Sequence, residues 1–419
     1  WETLYAAAKF ASGGIGHARA QLFADAMLGR INAEDIITRI QAKRHHDSVC
    51  ALGLVPLPAK QRDHAILKRY QVFQEFLRTS RKFGAQRRES EGKAVRIGME
   101  NLARTAGYSD PLRLQWAMEL QEVADLRDGP VVVTYDGVAV TLRIDPLGQP
   151  HLDVAKQDKP LKQIPPRLKK EPEVIALRDR KRSLDQQLSR MRISLEQAMC
   201  REEIFAAGEL AKLLGHPILA PMLEQLIFAG DGVMGYLIAN GQALRTHDGR
   251  DLSVAPDTVL HIAHPYDLYR AGDWSQWQRE CFIAERIQPF KQIFRELYVL
   301  TEAERSDGTV SHRYAGQQIQ PRQAMALLGQ RGWLSGGYDE DSYYGASRTF
   351  HDRGLTASIS YLYGGGTSVD VEGLTIDGVM FNRAGEWRGN LPLAEVPPVV
   401  FSETMRDMDL VVSVAHRGG

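Results

Sequence analysis

His261 and His264 stand three residues apart in the run His261-Ile262-Ala263-His264-Pro265-Tyr266-Asp267, with a carboxylate three residues further on. Imidazole nitrogens and a carboxylate oxygen at that spacing are donors for Zn²⁺ or a similar ion, or the makings of a general acid and base. If Val259–Ile262 is a strand, its alternation sends the two imidazoles to opposite faces, and Pro265 closes a turn. The pair therefore reads as packed or hydrogen-bonded, fixing a loop, and no metal is assigned. Lys291, Arg295 and Arg313 are the cations in this part of the chain that suit a nucleotide-like or phosphorylated substrate. With His261 and His264 they form the candidate catalytic set, and their convergence on one pocket is the condition for that reading.

Other chemical motifs are weaker. Ser12-Gly13-Gly14-Ile15-Gly16-His17 follows a helical run where a dinucleotide fingerprint needs a strand, so it reads as a turn. Gly364-Gly365-Gly366-Thr367-Ser368 does follow a strand, yet no P-loop lysine comes after it and another β-run does, which suits a hairpin or bulge. Asp339-Glu340-Asp341, beside Tyr338, Tyr343 and Tyr344, lacks an EF-hand register and reads as an acidic loop. His45-His46, next to Lys43 and Arg44, reads as a solvated helix end. Cys50, Cys200 and Cys281 are far apart and odd in number, which argues against a disulfide framework and for buried or half-buried thiols in a reducing cytoplasm. No cofactor is implied.

Charge is more informative. The 419 residues carry 52 Lys and Arg against 52 Asp and Glu, with 43% hydrophobic residues, which excludes bulk disorder and a uniformly nucleic-acid-coating protein. That neutrality is a cancellation. Residues 60–104 hold twelve Lys/Arg against five acids, and residues 156–192 hold twelve against five, each net +7, whereas residues 335–419 are net −6. Arg78, Arg81, Lys82, Arg87 and Arg88 around Phe83, and Arg178, Arg180, Lys181 and Arg182, are the candidate contacts to nucleic acid or to an acidic protein surface. Solvated helix faces paired with acids elsewhere are the plain alternative.

These residues must be carried by elements. To about Val123 the chain is helical by period: Ala18, Leu22, Phe23, Ala26 and Met27; Ile36, Ile37 and Ile40; Ile66, Leu67, Tyr70, Phe73, Phe76 and Leu77. Breaks fall at Gly29, at 56–58 and at Ser109-Asp110-Pro111. β-rich runs on either side of Asp136-Gly137 predict a hairpin, extended by a third run at 151–154. A long helix from Glu173 has Leu177, Leu184, Leu188, Met191, Leu195 and Met199 on one face. Beyond it, strands are expected at 233–238, 259–262, 356–363, 374–381 and 410–414, and helices at 283–297 and 321–330. Trp274, Trp277 and Phe282 read as core anchors.

The expected architecture is multidomain, α plus α/β: a helical, HEAT-like array over 1–128, a β-meander over 129–155, a basic linker over 156–172, a long helix and bundle over 173–230, and a mixed α/β module over 231–419. A chain that opens on Trp1 and closes on Gly418-Gly419 reads as a piece of something longer, its last module incomplete. No apolar run is long enough for a membrane span.

Four runs carry a resemblance: Phe76-Leu77-Arg78-Thr79-Ser80-Arg81-Lys82-Phe83-Gly84-Ala85-Gln86-Arg87-Arg88, Asn101-Leu102-Ala103-Arg104-Thr105-Ala106-Gly107-Tyr108, His261-Ile262-Ala263-His264-Pro265, and Gln288-Pro289-Phe290-Lys291-Gln292-Ile293-Phe294-Arg295-Glu296. With Arg313-Tyr314-Ala315-Gly316 and Asp407-Met408-Asp409-Leu410-Val411-Val412-Ser413, they resemble the MolR-like bacterial family over nearly the whole chain. The resemblance implies a large cytoplasmic bacterial protein, in some cases WGR-associated or encoded beside MoxR-type ATPases and von Willebrand A-type proteins; it brings no catalytic residues. Three readings follow: a non-catalytic scaffold or regulatory body acting with protein partners, an enzyme built on the candidate set, or a nucleic-acid binder using the basic tracts.

Overall fold

The structure, a computed structural model, describes residues 15–157, 159–306, 308–336, 345–362, 373–386 and 389–416, leaving out the side chains at 15–17, 85–86 and 335–336. The glycine runs at 12–14 and 364–366 and the acidic run at 339–341 lie outside them. The chain divides into two compact units, Trp1–Gln187 and Leu188–Gly419.

Unit one begins with helices α1 (Ile15–Met27), α2 (Ala33–Lys43), α3 (His46–Leu52), α4 (Arg62–Ser80), α5 (Ala85–Ala106), α6 (Pro111–Glu122) and α7 (Ala124–Arg127). The punctuation seen in sequence sets their ends. The Asn32 side chain accepts from the Asp35 N–H at the start of α2, and Asp110, before Pro111, accepts from the Arg113 N–H at the start of α6. Their apolar stripes meet in one core built from Ile36, Ile40, Ile66, Tyr70, Phe73, Val95 and Leu102. α3 and α5 touch backbone to backbone: a Cβ on Gly98 would lie 2.8 Å from the Val49 carbonyl oxygen and 2.9 Å from the Phe73 ring.

A four-stranded antiparallel sheet follows, β1 (Val131–Tyr135), β2 (Val138–Ile144), β3 (Pro150–Lys156) and β4 (Lys159–Pro160), in chain order. Asp136 and Gly137 both take positive φ, 49° and 73°, the two-residue turn their identities demand. Val138, Val140 and Leu142 alternate into the core. The stretch expected as a linker is partly ordered: β4 and a 3₁₀ turn at Leu168–Lys170 lie within it. α8 (Pro172–Cys200) then runs 29 residues with its expected leucine and methionine stripe buried, and the division between the units falls inside it.

Unit two holds β5 (Ile204–Ala206), α9 (Ala207–Leu213), α10 (Leu219–Leu223), β6 (Ile227–Gly230), β7 (Val233–Ile238), β8 (Ala243–Arg245), β9 (Asp251–Ser253) and β10 (Val259–Ile262). These strands form one antiparallel sheet in the order β5-β10-β6-β7-β8-β9. The boundary expected at 230/231 falls on the turn of the β6–β7 hairpin, so the sheet takes strands from both sides of it. After α11 (Pro265–Ala271) and α12 (Trp274–Ile283) come α13 (Glu302–Ser306), β11 (Val310–Ser311), β12 (Gln318–Ile319), α14 (Pro321–Gln330), β13 (Leu334–Gly336), β14 (Gly345–Phe350), β15 (Leu355–Leu362), β16 (Leu374–Arg383) and α15 (Pro398–Ala415). The second sheet of this unit, β11-β16-β15-β14-β13 with β12 also on β16, is antiparallel and packs with α15 through Phe381, Phe401, Met405 and Met408. The fold is thus a mixed α plus β multidomain structure with antiparallel sheets.

Three expectations are overturned. Residues 410–414, expected as a strand, end α15: a short apolar run has no period of its own, and the helical one emerges only with buried Glu403, Asp407, Met408 and Val411. No helix occupies 284–297, where one was expected over 283–297: α12 ends at Ile283, Glu285 takes φ +50° and the Arg286 N–H reaches back to the Cys281 carbonyl, with Pro289 just beyond. Trp277 is a core anchor, 1% exposed, and Trp274 is half-buried; Phe282 is not, standing 81% exposed.

Candidate functional site

The densest meeting of ionisable side chains lies in unit two, around Glu403 on α15. Arg295 comes from the irregular stretch after α12, which side chains hold in place where no backbone ladder does. Gln292, fully buried, accepts from the Ile227 N–H at 3.0 Å and donates to the Ile227 and Ala263 carbonyls, each at 2.8 Å. Gln288 accepts from the Ile293 N–H and donates to the Gln225 carbonyl and to Gln292. Trp274 Nε1 donates to the Ile293 carbonyl at 2.7 Å. The run 288–296 is a latch of side-chain amides, and it aims Arg295 inward.

Arg295 forks onto Glu403, Nε to Oε1 at 2.7 Å and Nη2 to Oε2 at 2.6 Å, while Nη1 donates to Glu196 at 2.7 Å. His264 is the N-cap of α11: its Nδ1 accepts from the Tyr266 N–H, which leaves the proton on Nε2, 3.2 Å from Glu403 Oε1. The Cys200 thiol donates to Glu403 Oε2 at 3.3 Å. Four donors thus fill the four lone-pair positions of one carboxylate. Burial alone would raise the Glu403 pKa, but Arg295 and His264 outweigh it and hold the carboxyl well below the usual range. Burial, with Glu403 beside it, pushes the Cys200 thiol well up, so it is no nucleophile. This cluster binds strands of chain to one another; with Glu403 saturated, it offers no free base.

The remaining candidates go elsewhere. His261 pairs with Asp267 at 3.2 Å, and Asp267 also accepts the His264 N–H in a capping box. Lys291 pairs with Glu296, which also takes Arg406 at 3.2 Å. Arg313 is bound to Glu304, as is Ser311 at 2.5 Å. Of the five, only the side chains of His264 and Arg295 share a partner, Glu403, and the set does not converge on one pocket. Among the described residues, no three His, Cys, Asp or Glu are placed to hold a metal ion.

Sequence reasoning passed over α15. Besides Glu403 it supplies Asp407, 1% exposed, which accepts from Trp333 Nε1, Arg331 and Arg348 at 2.8–2.9 Å. Burial raises the Asp407 carboxyl in spite of Arg348, Trp333 and Arg331. The available signal was two acids at i and i+4 within an apolar helical period. Arg44, next to the His45-His46 pair expected as a solvated helix end, is itself half-buried. It is the C-cap of α2 at φ 49°, stacks on Phe76 with its guanidinium 4.1 Å from the ring centroid, and forks onto fully buried Glu91 at 2.5 and 3.0 Å. Burial would raise Glu91, but Arg44, Ser80 and Arg87 bring it down to about 2.

The basic tracts of unit one divide. Arg78 pairs with Glu75, Arg87 with Glu91, Arg180 with Asp125, Lys181 with Asp185 and Arg182 with Asp179. Arg69, counted in the first tract, is buried and donates to the Val55 and Pro56 carbonyls; burial lowers it to about 10. Phe83 is covered by Arg87, 3.8 Å from its centroid, and by Arg44 at 5.1 Å, so it is no free stacking surface. The side chains of Arg81, Lys82, Arg88 and Arg178 are exposed and have no ion pair or hydrogen bond among the described residues.

Two family models match this chain, each over less than half of it. A family of unknown function (DUF5724) covers residues 1–118, within unit one, and a domain of unknown function (DUF4132) covers residues 159–333. The second match includes His264 and Arg295 and ends before α15, which supplies Glu403. No curated protein and no solved structure matches.

Proposed function

We propose that the chain is the non-catalytic scaffold or regulatory body of a large cytoplasmic bacterial protein and acts through protein partners. The observation that carries this reading is the fate of the polar candidates: Arg295 and His264 saturate Glu403, Lys291 sits on Glu296, and Arg313 on Glu304. Each is engaged in holding an element in place. The packed helices of unit one suit a HEAT-like platform, the sort of surface on which partners assemble. No helix among the described residues is long and apolar enough to cross a membrane. The resemblance to MolR-like proteins supports a MoxR-type ATPase or a von Willebrand A-type protein as the partner.

Affinity purification of the tagged chain from its native cells, with mass spectrometry of what is retained, tests this. Recovery of a MoxR-type ATPase or a von Willebrand A-type protein in stoichiometric amount is expected. Turnover of a nucleotide or phosphorylated substrate by the isolated chain, with no partner retained, overturns the reading in favour of an enzyme.

A further inference from the structure

In unit one the sheet and the segment leading into α8 enclose a groove of about 650 Å³. Its apolar lining includes Leu152, Leu161 and Ile164, and its rim carries Lys162, Lys169 and Arg178. The side chains of these three cations are exposed and have no ion pair or hydrogen bond among the described residues. The one acid in the lining, Asp153, is taken by Arg143 at 2.6 Å, so the groove is net positive by three. The lining contains no aromatic ring.

The backbone beside it is also open. β4 pairs with β3 only at Ala155 and Lys156, and the Leu161 N–H adds one bond to the Val154 carbonyl. Main-chain groups alternate along a strand, so those of Leu152 face the same side as those of Val154. No strand lies there against Leu152 among the described residues. An unpaired edge next to an apolar floor and a cationic rim is the arrangement by which sheets take up extended peptides, with the main chain giving affinity and the side chains selectivity.

We propose that this groove binds an extended, acidic segment of a partner protein, which pairs with the free edge of β3 at Leu152, lays apolar side chains on Leu152, Leu161 and Ile164, and sets carboxylates against Lys162, Lys169 and Arg178. The assignment rests on the scaffold reading and gives it a place and a chemistry. Phosphate-backbone binding would use the same cations but would leave the apolar floor and the strand edge without a role, and no ring is present on which a base could stack.

The test uses the full chain and a fluorescein-labelled octapeptide of alternating Glu and Val, read by anisotropy at two salt concentrations. Binding that weakens with salt is expected. Lys162→Glu/Lys169→Glu/Arg178→Glu should weaken it by about tenfold or more, whereas Arg81→Glu/Lys82→Glu/Arg88→Glu, the same charge change on the other tract, should leave it within about twofold. A peptide N-methylated at alternate residues should bind about fivefold more weakly, because it cannot extend the sheet. Equal losses in both triple variants, unchanged binding of the N-methylated peptide, or no binding by the wild type overturns the proposal. Tighter binding of the oligonucleotide dT12, lost in the groove variant, overturns it in favour of nucleic acid. Matching thermal melts by circular dichroism establish that the variants are folded. If the groove variant retains the same native partners as the wild type, the groove assignment fails and the scaffold reading stands; if the wild type retains none, the scaffold reading itself fails.

Discussion

The guanidinium of Arg295 and the carboxylate of Glu403, 108 residues apart in sequence, meet as a two-pronged fork with both partners buried. Removing one partner strands the other charge. Arg295→Met should destabilise unit two by about 3–5 kcal/mol, while Arg295→Met combined with Glu403→Leu should recover much of that loss. Urea unfolding followed by tryptophan fluorescence gives the midpoints; a double variant no more stable than the single one would refute a paired role.

Arg44 and Glu91 make the corresponding junction in unit one, and here the fork, the Phe76 ring and the Thr79 hydroxyl all use the planar guanidinium. Arg44→Lys keeps the charge but not the fork, and should cost about 1–3 kcal/mol. Equal stability of the lysine variant by urea titration would show that charge alone suffices.

His216 is buried, and its Nδ1 accepts from the Ile218 and Leu219 N–H groups. Burial lowers its pKa to about 4, so the folded chain holds it neutral where the unfolded chain protonates it. The unfolded state then binds more protons, and stability falls with pH between about 6.5 and about 4, by about 1.4 kcal/mol per unit. His216→Asn retains an acceptor for the two amides and removes the titration. The stability of the wild type relative to this variant should therefore decline as pH drops through that window, and a flat difference contradicts the assignment.

Gln292 substitutes for a missing strand by satisfying Ile227 and Ala263. Gln292→Leu leaves one buried N–H and two buried carbonyls without that partner, at about 1–3 kcal/mol apiece at most. Hydrogen exchange at the Ile227 amide should accelerate well beyond that of the β8 amides; uniform acceleration would mean the effect is global.

Phe282 and Ile287 stand 81% and 78% exposed. Phe282→Ser should therefore change stability by no more than about 0.5 kcal/mol. A larger drop in melting temperature would show that this ring is packed.

Local patterns were legible from the residues wherever one signal dominated. Asp136-Gly137 dictates its turn, Asp110-Pro111 its helix start, and the stripe from Leu177 to Met199 its buried face. The site was half legible: His264 and Arg295 could be chosen by type, but the carboxylate they share lies on a helix whose five-residue apolar end mimics a strand. Arg44 shows the same limit. A cation beside two histidines and a lysine looks solvated until Glu91, 47 residues later, is brought against it. Long-range pairing, not local composition, decides which charges are spent within the fold.

The latch at 288–296 also has a history in time. Arg295 leaves the ribosome 108 residues before Glu403, an interval of about 5–20 s at ordinary rates of synthesis. Through that interval the guanidinium has Glu196 but no carboxylate on α15 to receive it, although the partners of the latch, Gln225, Ile227, Ala263 and Trp274, are already made. The Glu403 junction can therefore close only once α15 has emerged, and until then His264, Cys200 and Arg295 lack the carboxylate that gathers them.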